Sequence, residues 1–125
     1  VAAVNALTAG RGVDLVYDPV GGEVFERSVG CLAGGGRLLA VGYASGHWGS
    51  ADTRELVMRN ASSLGVYVGA YDHDHMLDCH ASLLELYRAG SVSVVPDQEI
   101  TFDEIGDALG RIERRATLGK LVALS

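Results

Sequence analysis

Gly12-Val13-Asp14-Leu15-Val16-Tyr17-Asp18-Pro19-Val20-Gly21-Gly22 is the stretch on which the fold turns. Val13 to Tyr17 form a short, mostly apolar run, bounded by Gly12 on one side and by Asp18 and Pro19 on the other, as suits a buried strand. From Gly22 to Leu32 the spacing predicts a helix, with Phe25, Ser28, Val29 and Leu32 on its buried face and Gly34-Gly35-Gly36 ending it. Arg37 to Val41 read as a second buried strand closed by Gly42.

The same alternation continues outward. Thr53 to Arg59 suit a short helix, and Leu64 to Ala70, rich in Val and Tyr, suit a third strand. A longer helix is predicted from about Asp74 to Ala89, with Gly90 placed for a left-handed cap. Val92 to Val95 are expected to be extended, with Pro96 limiting them. Thr101 and Glu104 have the spacing of a capping box, and it opens a helix carrying Ile105, Ala108, Leu109 and Ile112 at helical intervals. Leu121 to Leu124 suit a last short strand. Upstream of the central stretch, Val1 to Leu7 read as helix with no start signal before it, Val4 and Leu7 on one face and Gly10 as its cap. Strands alternating with helices imply βαβ units, hence an α/β fold with a mainly parallel sheet covered by helices. A complete doubly wound nucleotide-binding sheet has about six strands. The candidates here are fewer, so the expectation is the C-terminal half of such a sheet (residues 1–90) followed by a short helix-strand extension (residues 91–125), in a chain that is part of a longer protein.

Composition narrows the function classes. The 125 residues are 48% apolar and 21% charged, ordinary for a globular protein. A net charge of -6 with scattered basic residues disfavours nucleic acid as a partner. No apolar run approaches the roughly 20 residues of a membrane helix, and no signal peptide is visible. Cys31 and Cys79 make no disulfide framework, and the expected setting is the cytoplasm.

Three segments carry a family resemblance. Gly12 to Gly22 resemble the fourth strand and following turn of quinone oxidoreductases of the medium-chain dehydrogenase/reductase superfamily. Cys31-Leu32-Ala33-Gly34-Gly35-Gly36-Arg37-Leu38-Leu39-Ala40-Val41-Gly42-Tyr43-Ala44-Ser45-Gly46 resemble their next helix end and fifth strand. Arg115-Ala116-Thr117-Leu118-Gly119-Lys120-Leu121-Val122 resemble the closing turn and strand. The resemblance implies a Rossmann sheet and hydride transfer from NADPH, with NADH as the alternative, to a quinone or an activated alkene. It also implies that cofactor contacts fall on Pro19, Val20, Gly21, Gly42, Tyr43, Ala44 and Ser45, and on Gly119 and Lys120 where the chain returns toward the cofactor. Ligands of open α/β sheets sit at the carboxyl ends of strands, where glycines let the backbone approach a flat ring. The bland reading is that these glycines simply end strands, and that Gly119 and Lys120 make a tight turn with a solvated lysine. The phosphate-binding G-x-G-x-x-G turn is not in this sequence: Gly10 and Gly12 are followed by Leu15, and Gly34 and Gly36 by Leu39. Tight cofactor binding by these residues alone is therefore not expected, and no catalytic acid or base can be named.

Other constellations carry less. His73, His75, Cys79 and His80 are zinc-ligand types, but His73 and His75 sit among Asp72 and Asp74, and His80 shares an apolar face with Met76, Leu83, Leu84 and Tyr87, so no metal is expected. Ser45, His47 and Asp52 make a triad on paper only, since Ser45 lacks a nucleophile-elbow context. Cys31 reads as structural, beside the core face of its helix. Trp48 follows the Gly42–Ser45 loop, where it could line a pocket for flat apolar molecules or cover the sheet. Two readings therefore stand, an oxidoreductase and a folded, non-catalytic pairing module. In either, Leu64 to Gly69 read as an uncharged edge strand, suited to pairing with its copy in a homodimer as the resemblance also implies.

Overall fold

Strand β1 (Val13–Asp18) is the first of three parallel strands, ordered β1-β2-β3, in the computed structural model, which describes residues 1–124. It pairs with β2 (Leu32–Ala40), Leu15 opposite Arg37 and Asp18 opposite Ala40. β2 in turn pairs with β3 (Ser62–Gly65), Arg37 opposite Ser62 and Ala40 opposite Gly65. Helix α2 (Gly22–Val29) connects β1 to β2, and α3 (Thr53–Arg59) connects β2 to β3, so the unit is two overlapping βαβ repeats. The three carboxyl ends, Asp18, Ala40 and Gly65, therefore align along one end of the sheet. Chain contacts divide the molecule into two compact units, Val1–Tyr71 and Asp72–Ser125.

The first unit has its core on one face of β2. Leu38 is fully buried and packs with Phe25, Val29 and Leu32, and Val16, Ala40, Leu56 and Ala61 close around them. Phe25 and Val29 lie one helical turn apart, which is why both reach the same spot. Each such buried side chain contributes roughly 1.5–3 kcal/mol relative to exposure. Alternation along the strands sends Leu15, Tyr17 and Leu64 to the opposite face, where they are exposed.

Several predicted boundaries move, each for a local reason. The first helix, α1 (Ala2–Leu7), is capped by Thr8, whose hydroxyl donates to the Val4 carbonyl at 2.9 Å; Leu7 is exposed, not packed with Val4. The helix predicted to reach Leu32 stops at Val29, because the Gly30 amide turns back onto the Arg27 carbonyl and the Cys31 amide onto that of Ser28. Leu32 is buried as predicted, but as the first residue of β2; Ser28 is only half-buried. Gly34-Gly35-Gly36 do not end the helix. They lie inside β2, where Leu32 to Arg37 oppose only Val13 to Leu15, an irregularity that Gly35 permits with φ +78°. The strand predicted over Leu64–Ala70 ends at Gly65. β2 ends at Ala40, whose carbonyl takes the Val66 amide at 2.9 Å, so the ladder has no further partner to offer. Val68–Ala70 coil instead into a single 3-10 turn, with the Tyr67 ring folded against Gly69.

In the second unit, α4 (His73–Arg88) starts at Asp72, whose carboxylate accepts the His75 amide at 2.8 Å, and ends before Gly90 at φ +71°, as predicted. β4 (Pro96–Thr101) pairs in parallel with β5 (Lys120–Leu124) across α5 (Ile105–Glu113). Pro96 opens this strand rather than limiting one, a position where its missing amide is tolerated. The capping box forms, with the Thr101 amide donating to Glu104 at 2.7 Å. Ile100 and Ala108 are buried, whereas Leu109 and Ile112 are exposed. His80, predicted to pack, is exposed as well. No helix among the described residues is long and apolar enough to cross a membrane.

Candidate functional site

Asp18 organises the carboxyl end of the first sheet. It is a buried charged residue, 3% exposed. Its carboxylate accepts the amides of Val20 at 2.8 Å and Gly21 at 3.1 Å, which folds the Pro19–Gly21 turn. Its carbonyl accepts the amides of Val41 at 2.9 Å and Gly42 at 3.3 Å, which ties in the next strand's exit. The Ala44 amide then donates to the Pro19 carbonyl at 3.1 Å and the Ser45 amide to that of Val20 at 2.9 Å. The predicted residues Pro19, Val20, Gly21, Gly42, Tyr43, Ala44 and Ser45 are thus brought together in one laced double loop. Its glycines are required by the approach: a Cβ on Gly21 would lie 2.6 Å from the His47 carbonyl, and one on Gly42 2.8 Å from that of Pro19.

Beside this double loop opens a cleft of about 870 Å³, the size of a small-molecule site. Its floor is small: Ala40, Gly42 and Gly65, the last positioned so that a Cβ would meet no atom within 4 Å. Its walls are aromatic: Tyr43, Trp48 and Tyr67. Tyr43 and Trp48 stack, with ring centroids 4.5 Å apart and planes inclined by 30°. Small residues under aromatic walls suit a flat ring lying against backbone. Sequence reasoning singled out Trp48 without placing it, and did not single out Asp18 or Tyr67; the flanking Gly21 and Gly42 were the signal for a close-packed turn that a buried acceptor must organise.

Gly119 and Lys120 lie in the second unit. A Cβ on Gly119 would collide with the Val95 carbonyl, and the Lys120 amide donates to that same carbonyl at 3.1 Å, so the turn has a packing reason of its own. The paper triad does not assemble. The His47 ring nitrogen Nδ1 faces the Ser45 carbonyl at 3.3 Å, the Ser45 hydroxyl donates to the His47 carbonyl at 3.2 Å, and Asp52 caps α3 through the Arg54 amide at 2.8 Å. Cys31 is buried and Cys79 exposed, both as free thiols.

The family described as zinc-binding dehydrogenase matches residues 1–122. The chain belongs to the zinc-binding dehydrogenase family. Among curated relatives, the quinone oxidoreductase-like protein 2 homolog of Nematostella vectensis is 32% identical over 95% of this chain and 34% of its own length. Quinone oxidoreductase-like protein 2 of Bos taurus is 30% identical over 96% of the chain and 35% of its own length. The chain therefore spans about a third of the length of these curated relatives. Among solved structures, the alcohol dehydrogenase of Aeropyrum pernix superposes with a TM-score of 0.75 at 32% identity, covering 99% of this chain and 34% of that one. The Escherichia coli quinone oxidoreductase complexed with NADPH superposes with a TM-score of 0.80 at 24% identity, over 100% of this chain and 40% of that one, and at that identity it speaks for the fold alone. The parallel α/β architecture is accordingly the Rossmann-like one of these medium-chain dehydrogenase/reductase neighbours.

The metal in the family's description finds no fit here. His75 and Cys79 come within 3.5 Å of each other on α4, but the described residues hold no group of three or more His, Cys, Asp or Glu able to hold an ion.

Proposed function

We propose that this chain forms the nicotinamide side of an NAD(P)H-dependent oxidoreductase that passes hydride to a quinone or an activated alkene, with NADPH the cofactor read from the resemblance and NADH the alternative. The observation that carries the reading is the laced double loop of Pro19–Gly21 and Gly42–Ser45, opening onto a cleft with a glycine floor at the carboxyl ends of β2 and β3. Bound reduced nicotinamide supplies the hydride. The chain's own residues hold the ring: Gly42 and Gly65 let it approach backbone, and Tyr43 and Tyr67 exclude water from its face. Gly119 and Lys120 are proposed to reach the same cofactor in the whole protein.

The 125 residues lack a pyrophosphate-binding glycine turn, so on their own they are expected to hold NADPH weakly and to show no steady quinone reduction. The same reading makes residues 1–90 the C-terminal half of the nucleotide-binding domain and 91–125 an extension. It also pairs two copies of the protein through the edge strand beginning at β3. Calorimetric titration with NADPH and with NADH tests the reading. Weak saturable heat with either cofactor, lost in Gly42→Val, supports it; no heat with either at millimolar concentration would leave a non-catalytic pairing module as the better description.

A further inference from the structure

The loop that carries Trp48 is pinned on both sides of that residue. On one side, the His47 carbonyl presses on Gly21 so closely that a Cβ there would lie 2.6 Å away. On the other, Gly49 lies against the buried ring of α2: a Cβ on Gly49 would lie 2.6 Å from the Phe25 Cβ and 2.8 Å from the Gly22 carbonyl. The Ser50 amide adds a hydrogen bond to the Glu26 carboxylate at 3.3 Å. A loop tethered in this way fixes the backbone of Trp48, yet the indole itself is 69% exposed and Tyr43 beneath it 53%. Stacking on Tyr43 sets the plane of the indole, and the rest of its surface faces the cleft and solvent. Exposing so large an apolar surface on a rigid mount is unfavourable in the free protein. A flat ligand that covers it removes that cost.

The cleft volume of about 870 Å³ exceeds what one nicotinamide ring fills, so a second planar molecule has room beside it. The polar side-chain groups on the lining are tyrosine hydroxyls and the Trp48 indole N–H, and no Lys, Arg, Asp or Glu belongs to it, a lining that suits an uncharged second molecule. We propose that Trp48, mounted on Tyr43, is the specificity-determining wall for the hydride acceptor and selects flat, uncharged, fused bicyclic aromatics of naphthoquinone size over single-ring or aliphatic acceptors. The inference rests on the reading of the cleft as the hydride-transfer site. Its physical basis is that stacking gain follows overlapped area, and a fused second ring extends the overlap across both rings of the indole.

Equilibrium dialysis with two probes in the presence of saturating NADPH tests it. The probes are dimethyl-1,4-naphthoquinone and tetramethyl-1,4-benzoquinone, both fully substituted so that Cys79 cannot add to them. The wild type is expected to bind the bicyclic probe at least ~10-fold more tightly, Trp48→Leu to bind both about equally, and Trp48→Phe to keep part of the preference. Because the indole is exposed, neither substitution removes core packing. Overhauser contacts between the indole protons and the bound bicyclic ring in the wild type provide a readout that needs no variant. NADPH binding with no bicyclic preference, or a preference that survives Trp48→Leu, overturns the inference and leaves the cofactor reading intact. Binding of neither NADPH nor quinone overturns both.

Discussion

Gly42 and Pro19 meet so closely that a Cβ on Gly42 would stand 2.8 Å from the Pro19 carbonyl oxygen. The Cβ position is fixed by its own backbone and the oxygen belongs to backbone, so neither can swing aside. Gly42→Ala is expected to push the two loops apart, costing about 1–3 kcal/mol of stability and weakening reduced-nicotinamide binding severalfold. Urea denaturation and cofactor titration on the same protein check it. Full stability together with unchanged binding would mean the loops are not held as described.

Asp18 is expected to matter more for stability than any exposed carboxylate. It is buried and accepts the Val20 and Gly21 amides. Asp18→Asn should lose roughly 1.5–3 kcal/mol, the range for hydrogen bonds to a charged group. Asp14 pairs with Arg11 at 2.7 Å on the surface, and Asp14→Asn should change the urea midpoint little. Equal effects from the two substitutions would contradict the role assigned to Asp18.

Much of this was legible in the sequence. Val13–Tyr17 were apolar enough to mark a strand, Thr53–Arg59 form the predicted helix, and the order of elements implied a parallel sheet. What misled was glycine. Gly34-Gly35-Gly36 look like a helix stop, yet they sit in β2, because pairing with β1 can accommodate extra residues when one adopts a positive φ. Leu64–Ala70 favour extended structure by residue type, but a strand lasts only as long as its partner, and β2 ends at Ala40. At the site, Gly21 and Gly42 were legible as turn residues. The stacking of Tyr43 on Trp48 was not, because it depends on contacts of Gly49 with Phe25 and of Gly21 with His47 that sequence order does not reveal.

The capping box of the 3-10 turn Phe102–Glu104, which leads into α5, makes a pH prediction. The Thr101 amide, and then its hydroxyl, donate to Glu104 and hold its carboxyl below the usual range. A depressed folded-state value means that this carboxylate stabilises the fold above its unfolded-state value, and that the contribution fades as pH falls through the folded-state one. Amide protection factors in this turn should therefore fall in acid below the ordinary carboxylate range, and Glu104→Gln should lose this dependence. An exchange profile that is the same in both proteins would refute the assignment.

The edge-strand dimer is tested by proline placed with the ladder in mind. The Val66 amide already donates inward to Ala40, so by alternation along a parallel strand the outward amides are those of Ser63 and Gly65. Ser63→Pro should convert a dimer to a monomer in sedimentation while leaving the helical circular dichroism intact. A wild type that is monomeric at high concentration, or a folded Ser63→Pro that stays dimeric, rules the pairing out.

Amide chemical-shift mapping with reduced nicotinamide mononucleotide tests the central claim most directly, because that half-cofactor carries the ring without needing a pyrophosphate turn. The account predicts saturable shifts at Val20, Gly21, Gly42, Tyr43, Ala44 and Ser45, with the Trp48 indole moving alongside. Shifts centred instead on the polar basin at the amino ends of β1 and β2, around Arg11 and Arg59, or no saturable shifts at millimolar concentration, would contradict it.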